Sequence, residues 1–110
     1  MNIERRDLAH AVVLEVEGRL TAAVAPQLRN EVAHLVAAGR TSVAIDLAKV
    51  DFIDSSGLGA LIGALKATRV AGGDLRIAAA GDQVKQVLRL TNLDRVLAVY
   101  PDAERAFDGS

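Results

Sequence analysis

The sequence predicts one α/β domain spanning residues 1–110, a small mixed β-sheet flanked by α-helices, and three features carry that expectation. A length of 110 residues lies near the commonest domain size and leaves no room for a second folding unit. Apolar residues make up 51% and charged residues 25%, the balance of a chain that can bury a core. Along the chain, β-branched or alternating runs give way repeatedly to runs with helical spacing, the pattern of strand–helix units.

Residues 2–7 supply a short strand that partners Ala11-Val12-Val13-Leu14-Glu15-Val16-Glu17, whose closing apolar/acidic alternation before Gly18 predicts one solvated face. Pro26 suits a first helical turn, and Leu28, Val32 and Leu35 recur at i, i+4 and i+7 until Gly39 stops the helix. Val43, Ile45 and Leu47 alternate with Ala44 and Asp46 as a short strand. The stretch from Leu47 to Gly59 is then expected as a loop. Leu58, Leu61, Ile62, Leu65 and Arg69 keep helical spacing until Gly72-Gly73 breaks the run. Leu75, Ile77 and Ala79 predict another strand, and Asp82 is the expected N-cap of a helix carrying Val84, Val87, Leu88 and Thr91. Leu97-Ala98-Val99-Tyr100 predicts a last short strand, and Pro101-Asp102 opens a brief helix through Phe107. Parallel crossovers should be right-handed, and function should gather where strand ends turn into helices.

With 13 basic and 14 acidic side chains, the net charge of −1 offers no general attraction to nucleic acid or to an anionic membrane. The pair Arg5-Arg6, flanked by Glu4 and Asp7, is expected as a solvated face, while Lys85, Arg89 and Arg95 could position an acidic partner. Cysteine is absent, which excludes a disulfide scaffold, a thiol nucleophile and thiolate metal sites. No metal is expected, because His10 and His34 lack ligand spacing to a second donor. Without an apolar run of about 18 residues or a leader-like start, the expectation is a cytoplasmic protein.

Asp54-Ser55-Ser56-Gly57 precedes the second helix, so its hydroxyls should lie beside the unpaired amides of a helix N-terminus, a place that favours an anion. Capping by Asp54 or Ser55 and close backbone packing at Gly57 would explain the same residues without chemistry. Gly57-Leu58-Gly59 suggests a dinucleotide loop, yet Ile62 stands where a third glycine is required and no acid closes the following strand. Packing is the expected role of these glycines, and no cofactor is expected. A serine hydrolase would need an imidazole base and a Gly-x-Ser-x-Gly turn, neither of which the segment provides. Asp46 and Asp51 are expected to hydrogen-bond structurally and not to act as an acid–base pair.

The run Val50-Asp51-Phe52-Ile53-Asp54-Ser55-Ser56-Gly57-Leu58-Gly59 resembles the signature of STAS domains, specifically bacterial anti-sigma factor antagonists, with weaker likeness in Gly18-Arg19-Leu20, Ala25-Pro26-Gln27-Leu28 and Ile45-Asp46-Leu47. The resemblance implies a non-enzymatic binding module whose partner is an anti-sigma factor acting as an ATP-dependent serine kinase. The unphosphorylated antagonist would bind that partner and release the sigma factor. Phosphorylation would fall on Ser56, with Ser55 the second choice, and the partner would contact Thr21, Asp54, Ser55, Ser56, Gly57 and Leu58. Thr21 stands where many members of that family carry an acidic residue. Two alternatives accompany this expectation. One is a docking module of a larger signalling or lipid-transport assembly, without phosphorylation; the other is a small nucleotide-binding enzyme.

Overall fold

In the computed structural model, which describes residues 2–107, the alternating runs become β1 (Asn2–Asp7), β2 (Val12–Leu20), β3 (Ser42–Ile53), β4 (Asp74–Ala78) and β5 (Val99–Tyr100). The helices are α1 (Ala25–Ala37), α2 (Ser55–Val70), α3 (Asp82–Leu90) and α4 (Ala103–Ala106), with a 3-10 turn over Leu93–Arg95. The strands lie in the order β1-β2-β3-β4-β5; β1 runs antiparallel to β2 and the remaining neighbours are parallel. This is the mixed sheet that the sequence predicts.

Alternation decides what each face covers. Val12, Leu14 and Val16 of β2, Val43, Ile45 and Leu47 of β3, and Leu75 and Ile77 of β4 point to one side. There they pack under Leu28, Val32 and Leu35 of α1, Leu61 and Leu65 of α2, and Val84 and Leu88 of α3. Each fully buried aliphatic side chain of this kind is worth about 1.5–3 kcal/mol relative to exposure. On the opposite side Ala11, Val13, Ala44 and Ala78 meet Ala103, Ala106 and Phe107 of the α4 segment. The small alanines allow that short helix to lie close to the sheet. The expected solvated face of β2 therefore exists only toward its end, at half-buried Glu15 and exposed Glu17, because α4 covers Val13.

Several boundaries differ from the sequence expectation: β4 stops at Ala78, because Ala79 turns to a left-handed φ of 56° and leaves the strand. Gly81, in extended backbone, is the N-cap of α3; Asp82 sits one residue inside, where its charge favours the helix amides. The last strand keeps only Val99 and Tyr100, because the preceding residues are taken up by the 3-10 turn and by Leu97, whose side chain is fully buried. Most consequentially, β3 does not end at Leu47. It runs twelve residues to Ile53, so most of the expected loop is strand. The partner strand makes this possible: β2 continues through Gly18, whose φ of 102° suits glycine alone, and pairs Glu17 with Lys49, Gly18 with Val50, Arg19 with Phe52 and Leu20 with Ile53.

Charged groups fasten the edges. Arg6, expected merely as a solvated residue, bonds Glu104 at 2.7 Å and Glu15 at 3.3 Å, tying α4 to the β1–β2 hairpin. Asp74 opens β4 and accepts the Leu75 N–H at 2.9 Å and the Arg69 and Arg76 guanidiniums at 3.2 Å each. Partial burial pushes the Asp74 carboxyl up, but the Leu75 amide and the Arg76 and Arg69 hydrogen bonds outweigh it and hold the group below the usual aspartate range. A lowered native pKa contributes stability that is present at neutral pH and lost as pH falls through the native value. Asp74→Asn should therefore be less stable than wild type at pH 7 and nearly level with it once the pH is well below about 4, where the wild-type carboxyl is protonated in both states. Urea melts at a series of pH values check this; a stability difference that does not shrink on acidification contradicts the assignment.

Candidate functional site

The end of β3 delivers the chain directly into α2, leaving Asp54 as the single residue between them. Asp54 is extended, with φ −109° and ψ −174°, and its side-chain Oδ1 accepts the Gly57 N–H at 2.9 Å. This is an N-cap, and it satisfies one of the four amides that a helix start leaves without an internal partner. The Asp54 N–H donates to the Leu20 carbonyl at 3.2 Å, and the Asp54 carbonyl accepts the Leu58 N–H at 2.9 Å. One residue thus joins the end of β2, the end of β3 and the first turn of α2.

Gly57 is buried at the third helical position, where an added Cβ would collide with the Leu20 carbonyl oxygen and lie 2.9 Å from the Leu20 and Ile53 side chains. Packing therefore accounts for Gly57. It does not account for Gly59 or Gly63: a Cβ at Gly59 would meet only the Arg29 guanidinium at 3.5 Å, and one at Gly63 would meet nothing. Contrary to the packing expectation, Gly59 is exposed and open.

This clamp fixes Ser55 and Ser56 at the first two positions of α2. Ser55 is exposed and Ser56 half-buried. With the Gly57 amide engaged by Asp54, the Ser55 and Ser56 N–H groups remain at the positive end of the helix dipole. Thr21 lies next along the chain from Leu20 and is half-buried. Its carbonyl accepts the Val24 and Ala25 N–H groups, so its backbone shapes the turn into α1; the N-cap of that helix is Val24, and the Thr21 hydroxyl does not cap it. Leu58 is half-buried against the core. The structure therefore gathers Thr21, Asp54, Ser55, Ser56, Gly57 and Leu58 at the carboxyl end of the β2–β3 pair.

Other candidates stay apart from this group. Asp46 accepts the Ala48 N–H at 2.9 Å within β3, a structural hydrogen bond, and Asp51 is exposed five residues further on. His10 is exposed in the β1–β2 turn, at the opposite end of the sheet, and His34 is exposed near the end of α1. Among the described residues no cluster of three or more His, Cys, Asp or Glu could hold a metal ion, and no helix is long and apolar enough to cross a membrane.

Sequence reasoning missed two neighbours of the serines. Phe52, 42% exposed, carries the Arg19 guanidinium 4.4 Å above its ring, a cation–π contact between facing positions of β2 and β3. A cleft of about 260 Å³ separates Phe52 and Ile53 from Gln83, Val84, Gln86 and Val87 of α3. The signal was the apolar Phe52 between Asp51 and Ile53, which shows as an outward-facing residue only once β3 is known to reach Ile53.

The fold and site define a class. Residues 1–106 match the STAS domain family, and the chain belongs to it. A Thermotoga maritima protein provisionally named an anti-sigma factor antagonist is 33% identical over 70 residues, a match spanning 64% of this chain and 62% of that relative. The anti-sigma-B factor antagonist of Listeria monocytogenes is 26% identical over 99 residues, covering 90% of this chain and 86% of the relative. Among solved structures, an anti-sigma factor antagonist from Mycobacterium paratuberculosis superposes with a TM-score of 0.85 at 26% identity, over 97% of this chain and 91% of the other. The phosphorylated form of the Bacillus cell fate determinant SpoIIAA shares the fold, with a TM-score of 0.75 at 19% identity over 97% of each chain.

The clamp has a measurable cost when broken. Asp54→Ala should lose about 1 kcal/mol with the cap, whereas Asp54→Asn, which keeps an acceptor oxygen, should lose less. Gly57→Ala should cost about 1–3 kcal/mol, since the Leu20 carbonyl has to move. Chemical denaturation of the three variants checks the order; a neutral Gly57→Ala would contradict the close approach.

Proposed function

We propose that this chain is an anti-sigma factor antagonist that, unphosphorylated, binds an anti-sigma factor with serine kinase activity and so releases the sigma factor. Phosphorylation of Ser56, with Ser55 as the second choice, ends that binding. The observation that carries this reading is the pair of serines in the first turn of α2, held by the Asp54 cap and the Gly57–Leu20 approach, in a chain of the STAS family. The anti-sigma factor antagonist names of its relatives support the partner class, and a fold neighbour exists in a phosphorylated form.

The switch follows from charge. A phosphate adds about 1.5 to 2 negative charges and three acceptor oxygens, and the amides at a helix start welcome them. The fold therefore tolerates the group, while the docking face, whose one charged side chain is Asp54, becomes strongly negative. Thr21, Asp54, Ser55, Ser56 and Leu58 form the partner-facing surface, with Gly57, expected there as well, buried beneath it as the packing contact that holds the helix start; the partner supplies ATP and performs the transfer, and the domain itself acts as a binding module in the cytoplasm with no cofactor. The threonine at position 21 favours a second reading, a docking module of a larger signalling or lipid-transport assembly in which the same surface binds without phosphorylation.

Incubation with the cognate anti-sigma kinase and ATP should add one phosphate, located by tandem mass spectrometry at Ser56. Ser56→Ala should keep partner affinity. Ser56→Asp should weaken it by two to three orders of magnitude, since an uncompensated charge at a desolvated contact costs roughly 3–5 kcal/mol and each tenfold is about 1.4 kcal/mol. Phosphate outside Ser55 and Ser56, or equal calorimetric affinities of the two variants, would overturn the switch.

A further inference from the structure

A groove of about 340 Å³ runs between Lys85, Leu88 and Arg89 of α3 on one wall and Val99, Tyr100 and Pro101 on the other. It shares no residue with the Thr21 and Asp54–Leu58 surface, so what it binds goes beyond the proposed switch. We propose that this groove docks an extended, acidic segment of a partner protein by strand addition to β5.

The backbone supplies the first argument. In the β4–β5 ladder the Ala98 carbonyl accepts the Ile77 N–H at 2.8 Å and the Tyr100 carbonyl accepts the Ala79 N–H at 2.9 Å. The residue between them, Val99, therefore turns its own N–H and C=O away from the sheet, toward the free edge that forms the groove wall. Such a donor–acceptor pair is what an added strand uses. Pro101 has no N–H and ends the ladder, so backbone pairing is confined to one residue and the side chains have to supply the remaining affinity.

The side chains state the charge of the occupant. Lys85 and Arg89, one helical turn apart and both exposed, have no ion-pair partner among the described residues. Asp94 is the one acid lining the groove. Half-buried Val99 and Tyr100 with exposed Pro101, backed by the fully buried Leu88, give an apolar floor on which alternate side chains of an extended segment would rest. Two free cations above an apolar floor and a strand edge fit a segment that alternates acidic and aliphatic residues. A second copy of this chain fits less well, because its own free edge, β1, balances Glu4 and Asp7 against Arg5 and Arg6, which are themselves ion-paired, and so offers Lys85 and Arg89 no net acidic charge.

The full chain, labelled with 15N, is titrated with an acetylated and amidated heptapeptide of alternating glutamate and valine. Saturable shifts should appear at Val99 and along the Lys85 face of α3, with slowed exchange of the Val99 N–H. The same peptide with lysine for glutamate should bind at least about tenfold more weakly, and so should the glutamate peptide to the Lys85→Glu/Arg89→Glu variant, which leaves the core untouched. Peptides N-methylated at every second residue, in either frame, test the backbone pairing without altering the protein, and at least one of the two should fail to protect Val99. Absence of binding, shifts confined to other surfaces, indifference to the charge reversal, or full binding by both N-methylated peptides would each overturn the proposal. Concentration-dependent protection of Val99 without peptide would assign the groove to a second copy and overturn it equally.

Discussion

The contact on which the rest depends is the approach of α2 to the end of β2, where Gly57 lies against the Leu20 carbonyl and the Asp54 N–H donates to that same oxygen at 3.2 Å. A side chain at position 57 would force the helix start away from the strand. With glycine there, the Asp54 cap closes, the first turn of α2 forms without slack, and Ser55 and Ser56 take fixed positions at the sheet end. A docking surface needs that rigidity, because ordering a loose loop on binding would consume part of the interaction energy.

The sheet explains why the clamp is placed where it is. β2 and β3 are the two central, longest strands, buried on the helix side along most of their length and extended together beyond the Gly18 bulge. The small α4 covers only the near half of the opposite face, through alanines and Phe107, and so leaves Glu17, Arg19 and Phe52 exposed beside the serines. The same economy leaves β5 two residues long, with a strand edge open between it and α3. Both candidate contact surfaces of the domain are therefore consequences of where the sheet outruns its helical cover.

Much of this was legible in the sequence, and the larger failures share one cause. Helical spacing located α1 and α2, because Leu28, Val32 and Leu35, and Leu61 and Leu65, each form a one-sided stripe. The cap at Asp54 and the close approach at Gly57 were legible because short polar residues and glycine at a helix start have few local explanations. What escaped was set by distant partners. Lys49 and Asp51 have the composition of a loop, yet they belong to β3 because β2 continues alongside them in a shifted register. Val13 looked like one member of a half-exposed strand, and is buried by a helix some ninety residues away in sequence. Phe52 became a surface residue beside the site only through that same extension, and Gly81 displaced Asp82 as a cap where either residue was locally acceptable.

Hydrogen exchange at single amides tests the clamp most directly. The Asp54 and Gly57 N–H groups, bonded to Leu20 and to the Asp54 carboxylate, should exchange as slowly as the β2–β3 ladder, while the Ser55 and Ser56 amides at the open helix end exchange far faster. That contrast within four consecutive residues is the result the account predicts. Fast exchange at Asp54 and Gly57 in a protein whose β2–β3 amides stay protected would mean that the helix start is a loose loop, and would contradict it.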